Sequence, residues 1–124
     1  MRMKNVTVLI FVTVLLVALA QLLLKQGMIN VGKIELSDFF SAKLLDVVSE
    51  KFVVVGVILF IITTFLWLVI LSQEELSFAY PLISSTYVVT AILASIIFHE
   101  SLSLVRILGI VLIAAGAYFI ILKI

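Results

Sequence analysis

The chain has no cysteine and a single histidine. The first absence removes thiolate metal sites, disulfide frameworks and thiol nucleophiles together. The second leaves His99 with no companion ligand, so no metal site is expected. Charge is scarce as well: Asp, Glu, Lys and Arg make up 12% of the 124 residues, the net charge is +1, and the basic residues are scattered. A chain without a row of cations offers a nucleic-acid backbone nothing to hold, which excludes that class of partner. Proline occurs once, at Pro81.

What fills the space is hydrocarbon. Hydrophobic residues make up 65% of the chain and the mean hydropathy is +1.45. A soluble domain of this size keeps too large a fraction of its surface exposed to hide that much apolar area, so the class is integral membrane protein. The opening stretch, MRMKNVTVLIFVTVLLVALAQ, has a basic start, an apolar run and a small-x-small triplet at Ala18-Leu19-Ala20, the pattern of a cleaved secretory signal. The apolar run continues through Leu22-Leu23-Leu24 and further long apolar segments follow, which favours a retained span. Asn5-Val6-Thr7 is formally a glycosylation sequon, but it abuts the bilayer.

A helix needs about 20 apolar residues to cross the hydrocarbon, and helices are required because lipid offers the backbone no hydrogen-bond partner. Four windows qualify, at about 6–24, 52–71, 78–98 and 104–122. The expected fold class is all-α: a four-transmembrane-helix bundle forming one integral membrane domain over residues 1–124. The first link carries most of the acidic residues. Within it, at about 36–50, Leu36, Phe40, Leu44, Val47 and Val48 share one arc of a helical wheel, while Asp38, Asp46, Ser49 and Glu50 lie opposite. That pattern reads as an amphipathic surface helix between spans one and two, lying on the membrane or packed over the mouth of the bundle. Arg2, Lys4 and Lys123 fall on one side of the membrane; Lys25, Lys33, Lys43, Lys51 and Arg106 fall on the other. So slight an imbalance leaves the orientation open.

The third window is the polar one. Tyr80, Ser84, Tyr87, Ala91, Ala94, Ser95 and Phe98 form one stripe, and Val89, Ile92, Leu93 and Ile96 form the reverse. The hydroxylated stripe is expected to face other helices or a cleft, and the aliphatic one to face lipid. Interhelical packing accounts for any single Ser or Thr; Tyr80, Ser84 and Tyr87 together point to a polar cleft. Pro81 either falls near a first turn, where its missing N–H costs little, or kinks an interior turn if Ser72-x-x-Glu75 is a capping box. Gln21 is a primary amide inside a span and needs a partner. Trp67 shares a face with Thr63 and reads most simply as an interfacial belt residue, with the cleft as its alternative.

Connectivity places Lys25, Glu100 and Arg106 at one membrane face with His99 beside them. Glu100 can brace either cation, or Lys25 and Arg106 can hold an anionic head group such as a phosphate. In the last window Gly109 and Gly116 stand one heptad apart, which favours a close helix–helix contact, such as one between subunits. No ionisable residue lies in the middle of any span, so proton coupling has no visible vehicle. No nucleophile–base or carboxylate pair with hydrolytic spacing occurs either, so neither an enzyme nor a cofactor is expected.

ALAQLLLKQG, LSFAYPLISSTYV, FHESLSLVRILGI and GIVLIAAG resemble the drug/metabolite transporter superfamily. The likeness is to its four-span, EamA-like members, and above all to Arn-type aminoarabinose-phosphoundecaprenol flippase subunits. It covers all four spans and leaves the surface loop unmatched; Ala79-Tyr80-Pro81 with His99-Glu100 is its most specific part. The resemblance implies a prokaryotic inner-membrane protein that passes a polyprenyl-phosphate-linked sugar between leaflets, paired as a homodimer or with a paralogue. Gln21, Lys25, Tyr80, Glu100 and Arg106 are the positions that match, and Ser84, Tyr87 and Trp67 join them as candidate substrate-binding residues. The related small multidrug resistance family carries a glutamate in span one where this chain has Val17, and a tryptophan after its span-three tyrosine where this chain has Ile83. A drug or polyamine-type cation exporter is therefore the weaker reading, beside a membrane partner that transports nothing itself.

Overall fold

The computed structural model describes the backbone of residues 2–122 and the side chains of residues 5–122. Lys123 lies outside the described residues, as do the side chains of Arg2 and Lys4. The architecture is the expected all-α bundle, with four segments long and apolar enough to cross a membrane. The first is a single helix, α1 (Arg2–Val31), of 30 residues. At about 1.5 Å per residue it is longer than a hydrocarbon core about 30 Å thick, so it runs on past the expected end of the span. It stops at Gly32, whose φ of 95° places it in the left-handed region and whose N–H bonds the Met28 carbonyl at 2.9 Å. Gly is the residue that adopts this conformation without strain. The Ala18-Leu19-Ala20 triplet sits inside this unbroken helix, with both alanines fully buried.

The surface segment differs from the single helix expected over 36–50. It is a 3-10 turn (Leu36–Phe40) followed by a short helix, α2 (Ala42–Ser49), with Ser41 between them. Local polar groups break it. The Glu35 N–H bonds the Asp38 carboxylate at 3.0 Å, and the Ser41 hydroxyl donates to the Asp38 carbonyl at 2.7 Å while accepting from the Lys43 N–H at 3.2 Å. Such short side chains compete with helix propagation. Of the apolar arc, Leu36, Phe40 and Val48 are exposed and Leu44 and Val47 half-buried.

The second span is α3 (Lys51–Gln73), capped at its start by Glu50, whose carboxylate accepts the Val53 N–H at 2.9 Å. The third is α4 (Leu76–Ile83) and α5 (Ser85–Ile97), broken at Ser84. The helix starts at Leu76, the start on which the milder reading of Pro81 rested, and the proline stands inside it, in the second turn. The Ser72 capping box does not form, because Ser72 still belongs to α3 and donates to the Val69 carbonyl at 2.7 Å. A left-handed His99, with φ of 54°, helps turn the chain into α6 (Leu104–Leu122), the fourth span.

Packing is uneven. α1 runs along α3 and also touches α4 and α5, whereas α6 packs only on α4 and α5 among the described residues. The tightest core lies toward the α3–α4 link, where Val6, Ile10 and Val14 meet Ile70, Ala79, Leu82 and Ala117. At the other end α1 and α3 approach closely through glycines: a Cβ on Gly56 would lie 3.2 Å from the Ala20 carbonyl oxygen, and one on Gly27 2.9 Å from the Val53 nitrogen. There Asn30 also donates to Glu50 at 3.1 Å. By contrast Gly109 and Gly116 have nothing within 4 Å, and of the α6 residues only Ala117 is buried. Along the third span Ala79, Leu82, Thr86 and Val89 keep helical spacing across Ser84 on the packed side, while Ile92 and Ile96 of the expected lipid face are exposed. Val89, expected toward lipid, packs against the core.

Two outcomes follow. Alanine at Gly27 must push backbone, so it is expected to destabilise the fold by about 1–3 kcal/mol. Alanine at Gly109 meets open space and should leave the melting temperature in detergent unchanged or slightly higher; equal melting of both variants would refute the close approach. The second concerns Glu50. Partial desolvation acts to raise its pKa, but hydrogen bonds from Asn30, Val53 and Phe52 and the charge of Lys51 outweigh it and leave the pKa lowered. A lowered native pKa means stabilisation that is complete above the unfolded carboxylate range and lost as pH falls through the native value. Wild type should therefore melt above Glu50→Gln at neutral pH, with the gap closing in acid; a gap independent of pH would show that the charge contributes nothing.

Candidate functional site

Because α3 and α5 do not pack on each other, they leave a groove between them, floored by α1. Its volume is about 480 Å³, and it is lined by Thr13, Val17 and Gln21 of α1, by Phe60, Thr63, Thr64 and Trp67 of α3, and by Tyr80, Ile83, Ser84, Thr86, Tyr87 and Thr90 of the broken third span. Five of the candidate residues, Gln21, Trp67, Tyr80, Ser84 and Tyr87, thus share one cleft. Tyr80 and Tyr87 are each more than half exposed, so the groove is open rather than sealed.

Each wall has a local cause. Thr13, Val17 and Gln21 are spaced one helical turn apart, so they form a single row on α1. Trp67 lines the groove. Its indole meets the Tyr80 ring edge-on at a centroid distance of 6.0 Å and an interplanar angle of 66°, a favoured aromatic geometry. On the third wall, the hydroxyls of Ser84, Ser85 and Thr86 donate to the carbonyls of Pro81, Leu82 and Ile83. These three bonds cover the carbonyls just before and at the break at Ser84, where a helix in hydrocarbon would otherwise have carbonyls without donors. Most of the serine and threonine protons here therefore serve the backbone, and their oxygens face the groove chiefly as acceptors.

Lys25, Glu100 and Arg106 lie outside the lining. Lys25 stands one turn beyond Gln21 on α1, and its Nζ is 3.9 Å from the Glu100 carboxylate. Both side chains remain about half exposed, at 54% and 44%. Arg106 does not join this pair: its guanidinium donates to the Ser101 carbonyl at 3.4 Å, and its N–H is capped by the Ser103 hydroxyl at 3.2 Å. Glu100, free in the sequence to choose either cation, pairs with Lys25. His99 is exposed beside it. Among the described residues no group of His, Asp and Glu could hold a metal ion.

Sequence reasoning missed Thr13, Thr86 and Thr90. Thr13 was within reach, being two turns before Gln21 on the same row. Thr86 and Thr90, one turn apart, adjoin the Tyr87 side of the tyrosine stripe and were within reach as well. Val17, the position of the glutamate in the multidrug resistance family, does line the groove. The lining contains no carboxylate and no amine.

No protein-family model matches the chain, and no solved structure does. Curated relatives do. A Proteus mirabilis protein named "Probable 4-amino-4-deoxy-L-arabinose-phosphoundecaprenol flippase subunit ArnF" is 38% identical over 111 residues, covering 86% of this chain and 84% of its own. A Photorhabdus laumondii protein of the same name is 32% identical over 114 residues, covering 88% and 90%. One from Serratia proteamaculans is 33% identical, covering 87% and 85%. The alignments span most of both partners, and they bear out the resemblance seen around Tyr80 and Glu100. This multi-pass membrane protein belongs to the ArnF family of flippase subunits.

Proposed function

We propose that the chain is a subunit of a flippase for a polyprenyl-phosphate-linked aminosugar, the substrate class printed in its relatives' names. The observation that carries this is the groove between α3 and α5. It is side-open, uncharged, lined by hydroxyls, an amide and aromatic rings, and within the size range of small-ligand sites. In this reading the sugar lies along the groove while the polyprenyl tail stays in the bilayer, so neither part need be forced into the wrong medium. Lys25 and the exposed Arg106 stand at the Lys25–Glu100 end of the bundle, where they can take the phosphate through charge-assisted hydrogen bonds. Trp67, Tyr80 and Tyr87 offer π faces to the sugar's apolar edges and to its ammonium.

The absence of a carboxylate from the lining supports this over cation export, since a cation exporter coupled to protons needs an acidic group where Val17 stands. A second subunit is part of the proposal. The outward face of α6, with Gly109 and Gly116 in open space, is the surface we assign to it, whether the partner is a copy of this chain or a paralogue.

The test is leaflet exchange of a fluorescent polyprenyl-phosphate aminosugar in vesicles carrying the protein in the assembly in which it purifies. Lys25→Ala is expected to slow exchange by about tenfold or more, as for loss of a charged hydrogen bond, and Tyr80→Phe by less. An exposed ion pair contributes only about 0–1 kcal/mol, so Lys25→Ala should melt within a few degrees of wild type, separating lost transport from lost fold. Wild-type exchange no faster than in empty vesicles would overturn the proposal.

A further inference from the structure

The serine and threonine protons around the groove are committed, with one exception. Thr13 donates to the Leu9 carbonyl at 2.8 Å; Thr63 and Thr64 share the Phe60 carbonyl at 2.7 and 3.0 Å; Thr86 donates to Ile83 at 2.7 Å, and Ser84 to Pro81. Thr90 also lines the groove, yet its Oγ1 is shut off from solvent and has no hydrogen-bond partner.

A threonine inside a helix ordinarily gives its proton to a carbonyl one turn back, which for Thr90 means that of Thr86 or Tyr87. Thr86, one turn earlier on the same helix, behaves in that ordinary way. Thr90 does not, and no neighbouring side chain among the described residues takes its place. An orphaned hydroxyl in an apolar wall is a standing cost, tolerated where something else completes it. A χ1 rotation, which exchanges methyl and hydroxyl between rotamers both open to threonine in a helix, turns Oγ1 toward the groove. There it would be the one serine or threonine hydroxyl of the lining with a proton to give, beside the Tyr80 and Tyr87 hydroxyls and the Gln21 amide.

We propose that Thr90 is a specificity-determining residue: its hydroxyl donates to an acceptor oxygen of the sugar head group while the other wall hydroxyls accept from the head group's O–H and N–H groups. The inference rests on the flippase reading and adds to it an orientation. An acceptor oxygen of the sugar faces Thr90, and its O–H groups face the committed hydroxyls of Thr13, Thr63, Thr64, Ser84 and Thr86. The discrimination is against head groups that lack an acceptor at that point, since a buried donor left unpaired is what rejects an analogue.

The chain's one tryptophan, Trp67, lies in the groove and reports on it. Detergent-solubilised protein is titrated with a short-chain polyprenyl phosphate bearing 4-amino-4-deoxy-arabinose, and in parallel with the same polyprenyl phosphate without sugar. Binding is read by a labelled-lipid equilibrium assay and by Trp67 emission. Thr90→Val keeps the shape and removes the hydroxyl. It is expected to weaken the sugar-bearing lipid about five- to tenfold, the size of one hydrogen bond, to leave the bare lipid phosphate unaffected, and to melt no lower than wild type. Thr90→Ser should bind the sugar lipid like wild type. If Thr90→Val binds the sugar lipid within about twofold of wild type, or loses both lipids equally, the Thr90 proposal is wrong while the flippase reading stands. If wild type binds neither lipid, the flippase reading falls and takes this one with it.

Discussion

A hydrogen-bonding group inside hydrocarbon has only the protein to bond with. That constraint organises this small bundle. One proline in the third span removes an amide proton and crowds a carbonyl, and three successive hydroxyls bind the carbonyls of the turn that follows. The helix continues as two pieces, α4 and α5, on either side of Ser84. The hydroxyls that seemed, as a stripe, to be wholly available to a ligand are in large part holding their own backbone. What remains for a ligand is their lone pairs.

The break also decides where space is left. α1 is the common contact of α3, α4 and α5, while α3 and α5 stay apart. The core closes firmly near the α3–α4 link, where alanine and branched side chains interlock. Toward the other end only the glycine-mediated α1–α3 pair remains tight. A bundle closed at one end and opened at the other gives a groove accessible from the side. For a lipid-linked cargo that geometry matters more than a sealed pore, because the cargo's tail must stay outside.

Charge is kept to the ends. Lys25 and Glu100 meet at one mouth with both side chains still hydrated, and Asp38 with Lys43 stitches the surface turn at 3.3 Å. Hydrated pairs of this kind add little stability. The groove itself carries no charge, so a zwitterionic or polyhydroxylated head meets dipoles and π faces there, not a fixed ion.

Much of this was decided by the sequence alone. Apolar length set four spans, scarce mid-span charge ruled against a buried titrating group, and short links forced α3, the broken third span and α6 to run antiparallel in turn. Gln21, Tyr80, Ser84 and Tyr87 were legible as a polar set because their types are costly in lipid unless paired. Three matters waited for tertiary structure. Trp67 met the Tyr80 ring, because only packing brings these side chains together. Glu100 chose Lys25 over Arg106, because Arg106, its N–H capped by Ser103, turns its guanidinium to the Ser101 carbonyl. Thr86 and Thr90 entered the groove, and Val89 the core, because packing sets which arc of a helix meets its neighbours. Periodicity along one helix groups residues into faces, and only the neighbouring helices decide what each face meets.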